Sequence, residues 1–301
     1  MDIAANDVRT FVELSNGFSN NAGYLIKAIN QRTPQSYSSS SSLFADHRRL
    51  LRNHVYDHSL CQNSTVSKPI VIAHGMGDSC FNKGIQSIIK SMALWTGQYS
   101  ICIPMGSNQQ EDTSAGYFLN MDASIDQFAA AIFKDSKLNQ GFHAIGFSQG
   151  NNIIRGYIAK YNHPTVHTFL SINGVNAGVS AVPYCIRQDP SMISVFHSSK
   201  ENFICRALME MASQKAYTTF AQKNSFQANY WRDPREEYFH KYLQFSQLAY
   251  YNNETPTKNF TLNENYAKTE KFVWILAEQD ELVWPKEVCL FSILRSNLPF
   301  F

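Results

Sequence analysis

What the 301-residue sequence lacks narrows its function first. No apolar run reaches the roughly 20 residues that a helix needs to cross a bilayer, so no transmembrane segment is expected. There is no Lys/Arg block and the formal net charge is +2, so charge gives no reason to expect a nucleic-acid partner. None of the six cysteines stands in a C-x-x-C pair, so no zinc site is expected. No internal repeat is visible. The opening residues, MDIAANDVRTFVEL, carry acidic groups and lack the basic-then-apolar layout of a secretory signal. Histidine also runs out early: of nine, none follows His240.

What is present is a globular composition, 44% hydrophobic and 13% aromatic, in a chain long enough to bury a sizeable core. Residues 1–66 stand apart. They hold a serine tract, SYSSSSS at 36–42, and read as a poorly ordered N-terminal extension with at most one helix near 9–29. Residues 67–301 read as one domain. KPIVIAHG, YSICI, FHAIGF, HTFLSI and KFVWILA are short apolar runs bounded by turn residues, as buried strands should be. Between them, Ile85, Ile88, Ile89 and Met92 form a helical stripe. So do Ile125, Phe128, Ala129, Ile132 and Phe133, and then Ile153, Ile154, Tyr157 and Ile158. This alternation predicts an α/β fold with a mostly parallel central sheet. Residues 184–266 break the rhythm and predict a helical insertion over the carboxyl edge of the sheet, where such folds bind ligands.

Chemistry gathers in three places. GFSQG follows a strand and precedes a helix, the context in which a Gly-x-Ser-x-Gly serine stands exposed on a strained turn as a nucleophile. That nominates Ser148. AHGMGDS follows the first strand, and a glycine-rich loop there can aim a backbone N–H at the same point. The backbone N–H groups of Met76 and Gln149 are therefore candidates for an oxyanion hole. The same loop also reads as an ordinary strand-to-helix connection in which Asp78 or Ser79 caps the helix. The acid that would orient a base should follow a late strand, where Glu278, Asp280 and Glu281 are all placed; spacing does not choose among them. The base should be a histidine beyond the acid, and the sequence has none there. His74 lies in the glycine-rich loop, where a structural hydrogen-bonding role fits better.

HGMGDSC, GYFLN, KDSKLNQGFHAIGFSQG, ISVF with ICRAL, ANYWRDP and DELVWP, in that order, resemble the palmitoyl-protein thioesterase family of the α/β-hydrolase superfamily. The resemblance runs from about Lys68 to about Pro285. It implies hydrolysis of long-chain acyl thioesters from S-acylated cysteines of proteins or peptides, without a cofactor, in the lysosome or outside the cell. It assigns Ser148 as nucleophile, Asp280 as acid, and Met76 and Gln149 as oxyanion donors. It makes the insertion the wall of a fatty-acyl groove, with Phe203, Leu208, Phe220 and Trp231 as lining, although these could equally be the insertion's own core. It implies a disulfide between Cys185 and Cys205. The triplets at Asn63, Asn253 and Asn259 would be glycosylation acceptors if the chain is secreted. Departures are specific. The family histidine after the acid is missing, and with it the last strand and helix of the fold are expected to be missing. Cys80 is followed by Phe81 where the family has adjacent cysteines. Ala129 and Tyr161 stand where a second cysteine pair belongs. The resemblance therefore leaves an alternative open, a non-catalytic acyl-binding relative or a truncated product.

Overall fold

A computed structural model describes residues 68–180, 215–233, 235–280 and 282–289. Five strands, β1 Ile70–Ala73, β2 Ser100–Cys102, β3 Phe142–Phe147, β4 Val166–Ile172 and β5 Lys271–Ile275, form one parallel sheet in the order β2-β1-β3-β4-β5. Helix α1 (Lys83–Thr96) joins β1 to β2. Helices α2 (Gln109–Phe118) and α3 (Met121–Lys134) join β2 to β3, and α4 (Gly150–Lys160) joins β3 to β4. Helices α5 (Thr219–Asn224), α6 (Phe226–Tyr230), α7 (Glu236–Phe245), α8 (Gln247–Tyr251) and α9 (Phe260–Ala267) precede β5. This is a parallel α/β arrangement with helices on both faces of the sheet.

The strands are mostly apolar because both faces of the sheet are covered. On one face Ile70, Ile72, Ile145 and Ile275 pack with Ile85, Ile88 and Met92 of α1. On the other, Val71, Ala144, Phe169 and Trp274 pack with Phe128 and Ile132 of α3 and Tyr157 of α4. All five expected strands and all three helical stripes form where the periodicity places them.

Four features differ from the sequence reading. Helix α2 was not expected: QQEDTSAGYF has no apolar stripe, and its start is set by Asn108, whose side chain accepts from Glu111 N at 3.0 Å. Neither Asp78 nor Ser79 caps α1; the N-cap position is Asn82, and Ser79 is buried elsewhere. A disulfide joins Cys80 to Cys102. Helix α9, the end of the predicted insertion, does not stand apart from the sheet layers. Helix α9 packs on α4, with Asn265 Nδ2 donating to Ala159 O at 3.0 Å and Asn162 Nδ2 to Asn265 O at 2.6 Å. It therefore belongs to the layer that covers the sheet. Among the described residues β5 is the outer strand on its side, and no helix is long and apolar enough to cross a membrane. The N-terminal extension, Asn63, Phe203, Leu208 and the Cys185–Cys205 pair lie outside the described residues.

Candidate active site

The carboxyl ends of β1, β3 and β5 carry the three candidate elements. Ser148 is the turn between β3 and α4, and its φ of 48° lies in the left-handed region that a side chain seldom adopts. The neighbours force this. Ser148 N donates to Ile172 O at 2.9 Å, and Asn151 Nδ2 donates to both Ser148 O (2.9 Å) and Ile172 O (3.1 Å), so the elbow is stapled to the end of β4. A Cβ on Gly150 would stand 2.3 Å from Ala73 O, and one on Gly146 would stand 2.4 Å from Asn151 Oδ1. Only glycine lets the helix cross this close to β1 and fold over its own strand. Ser148 itself is partly exposed.

The glycine-rich loop lies against the serine. A Cβ on Gly75 would be 3.3 Å from Ser148 Cβ. Among the described residues, neither Met76 N–H nor Gln149 N–H donates to a protein acceptor. The second of these opens helix α4, where the helix dipole favours developing negative charge.

Beneath the loop is a buried ionic network. Asp112, fully buried on α2, accepts from His74 Nε2 (3.1 Å), Met105 N (2.6 Å), Ser79 Oγ (2.8 Å) and Cys80 N (2.8 Å). His74 Nδ1 lies 2.9 Å from Gly75 O, which can only accept. Both ring nitrogens face acceptors, an arrangement that favours the charged imidazolium. Burial disfavours its charge, but the hydrogen bond and negative charge of Asp112 outweigh burial and raise its pKa above 6.5. Burial likewise pushes Asp112 up, and His74 and the backbone donors outweigh it, so its pKa falls below 3.8. Both nitrogens of His74 are turned to Gly75 O and Asp112 rather than to Ser148. His74, Cys80 and Asp112 bring potential metal-ligand atoms within 4.8 Å of one another, yet the nitrogens and oxygens are engaged as above and the sulfur is in the disulfide. That trio does not fit a metal.

Sequence reasoning missed Asp112. The Asn108 cap, with Glu111 three residues on, was the signal that could have found the helix carrying it.

Asp280 follows β5. Its Oδ1 accepts from Leu282 N and Val283 N, both at 2.9 Å, so the loop is wound around the carboxylate. Glu278 is exposed, and Glu281 lies outside the described residues. Asn173 links the two loop ends, donating from its N to Ile275 O (2.9 Å) and accepting from Ala277 N (2.8 Å). One strand separates β3 from β5, so Ser148 and Asp280 follow strands two apart at the same carboxyl edge of the sheet. Among the described residues no histidine stands between them. His143, His163 and His167 lie at the amino edge of the sheet, and His240 is exposed on α7.

Other candidates separate by burial. Trp231 is buried in the main core, against the groove-lining expectation, while Phe220 is 77% exposed. Asn253 is buried, with its amide bonded to Asn259 O (3.1 Å) and Asn259 N (2.8 Å), so it offers no accessible nitrogen to a glycan. Asn259 is partly exposed and caps α9 through Thr261 N.

The sequence model of the family described as Palmitoyl protein thioesterase matches residues 69–298. The chain is 29% identical over 240 residues to Palmitoyl-protein thioesterase 1 of Caenorhabditis elegans, covering 78% of this chain and 75% of that protein. It is 29% identical over 234 residues to Palmitoyl-protein thioesterase 3 of Dictyostelium discoideum, covering 76% and 71%. It is 27% identical over 230 residues to Lysosomal thioesterase PPT2-B of Xenopus laevis, covering 75% and 72%.

Proposed function

The chain belongs to the palmitoyl protein thioesterase family, and from that premise we propose that it cleaves long-chain acyl thioesters from protein cysteines with Ser148 as nucleophile. The observation that carries this reading is the elbow: a left-handed serine faced by a glycine loop, with two N–H groups unspent beside it.

Ser148 Oγ attacks the thioester carbonyl. The carbon becomes tetrahedral, and the charge on its oxygen is held by Met76 N–H and Gln149 N–H. The C–S bond breaks, and the cysteine leaves as thiol with the proton taken from Ser148. Water then attacks the acyl-serine and releases the fatty acid. Asp280 stands where an acid would orient a proton-carrying base, and among the described residues no histidine stands beside it. The substrates are S-palmitoylated proteins or peptides, and the names of two relatives favour a lysosomal setting. Residues 67–301 act as the hydrolase domain, and residues 184–266 wall the acyl site.

A second reading is favoured by the histidines. With both nitrogens of His74 engaged and no other histidine beside the elbow among the described residues, the chain could bind acyl groups without turning them over.

Hydrolysis of a palmitoylated peptide by the 301-residue chain and by Ser148→Ala separates the two. Turnover abolished by the substitution supports the hydrolase. Saturable palmitoyl binding without turnover supports the acyl-binding reading.

A further inference from the structure

Helix α6 lies in the segment before β5, outside the strands that carry Ser148 and the glycine loop, yet it touches both proposed oxyanion residues. Gln227 Nε2 donates to Gln149 Oε1 at 2.8 Å and to Gly116 O at 2.9 Å. Gln149 Nε2 donates to the same Gly116 O at 2.7 Å, which closes a triangle of three buried groups. Three residues along α6, Tyr230 OH donates to Met76 Sδ at 3.7 Å. Residues spaced by three share one helical face, so a single face of α6 grips a side chain from each side of Ser148.

The helix is itself fixed. Asn229 Oδ1 accepts from Met121 N at 2.8 Å, and Ser246 Oγ donates to Asn229 O at 2.6 Å. From below, α2 completes the hold, because Asp112 and Gly116 are four apart on it. One binds the glycine loop, and the other binds Gln149.

We propose that Gln227 and Tyr230 are positioning residues of the oxyanion hole, and that the hole is set only when α6 is docked. This rests on the reading of Met76 and Gln149 given above. An N–H group works as an oxyanion donor only at a fixed distance from the developing charge. Gln149 is held from α2 by Gly116 O alone, and the contacts of Gln227 and Tyr230 add a second anchor for Gln149 and one for Met76. Docking α6 sets these anchors and ties the segment that walls the acyl site to the reacting end.

The test uses the full chain, Gln227→Glu and Tyr230→Phe. The first keeps shape but presents acceptors to Gln149 Oε1 and Gly116 O. The second keeps the buried ring and serves if the first fails to fold, which thermal melting reports. Three quantities are read: the rate at which an alkyl fluorophosphonate labels Ser148, the affinity for a non-cleavable palmitoyl thioether peptide, and the motion of a ¹³C-labelled Met76 methyl.

The proposal expects labelling slowed by about 10- to 100-fold in Gln227→Glu, thioether affinity unchanged within about 2-fold, and a more mobile Met76 methyl in Tyr230→Phe. Variants that label at the wild-type rate would overturn it and leave the nucleophile reading standing. A wild-type chain that does not label would overturn the nucleophile reading instead. The coupling is then judged on Met76 alone, where freer motion in Tyr230→Phe supports it and unchanged motion refutes it.

Discussion

Asp112 Oδ1 lies 3.1 Å from His74 Nε2, and this buried contact ties helix α2 to the loop that faces Ser148. Removing one member of a buried ion pair strands the other. Asp112→Asn is expected to cost about 3 kcal/mol in urea unfolding and to slow Ser148 labelling. The pair also sets a pH window. His74 binds its proton more tightly in the folded chain, so its contribution is complete below the ordinary 6.5 and fades as pH rises through the raised folded value. Asp112 contributes fully above the ordinary 3.8 and loses its share as pH falls through the lowered one. The melting-temperature gap between wild type and His74→Gln should therefore be widest in mild acid and narrow above neutrality.

His143 has the opposite sign. Burial, then the charges of His167 and Lys68, push its pKa down to about 4, and its Nδ1 is buried without a partner. Unfolded, it takes a proton near 6.5, so the native chain loses stability as pH falls from 6.5 towards 4. His143→Leu should flatten that acid limb of a melting-temperature profile while leaving stability at pH 8 nearly unchanged.

Gly150 and Gly156 sit on the same helix but face different obstacles. A Cβ on Gly150 meets backbone, Ala73 O at 2.3 Å and His74 O at 2.5 Å, whereas one on Gly156 meets the end of Ile125 at 2.0 Å. Backbone cannot step aside. Gly150→Ala should abolish Ser148 labelling, and Gly156→Ala should cost about 1–3 kcal/mol in denaturant unfolding and leave labelling measurable.

How much of this was legible depended on whether a local pattern carried the information. Strands buried on both faces must be apolar along their length, so FHAIGF and KFVWI could be read directly. The Ser148 elbow was legible because its glycines are required by backbone contacts only a few residues away. Helix α2 was not, because its role is to present Asp112 and Gly116 inward rather than to bury an apolar stripe. The Cys80–Cys102 pairing was hidden because it depends on register: β1 pairs Ile72 with Cys102, and the loop after β1 returns Cys80 to that strand end. Asn253 matched a glycosylation triplet, but its burial is a tertiary property that three residues cannot encode.

The same disulfide closes a loop of 22 residues that holds α1 and β2. By chain entropy such a closure stabilises by about 3 kcal/mol. Replacing both Cys80 and Cys102 by Ser should lower stability by about that amount in denaturant titration. Because Cys80 N also donates to Asp112, labelling of Ser148 should slow as well.

The central claim is that Ser148 carries the acyl group between thioester and water. Brief reaction with a palmitoyl thioester, acid quench and peptide mass analysis test it most directly. The account predicts a palmitoyl ester on the peptide containing Ser148 and none in Ser148→Ala. Thioester hydrolysis without that adduct, or an adduct on another residue, would contradict it.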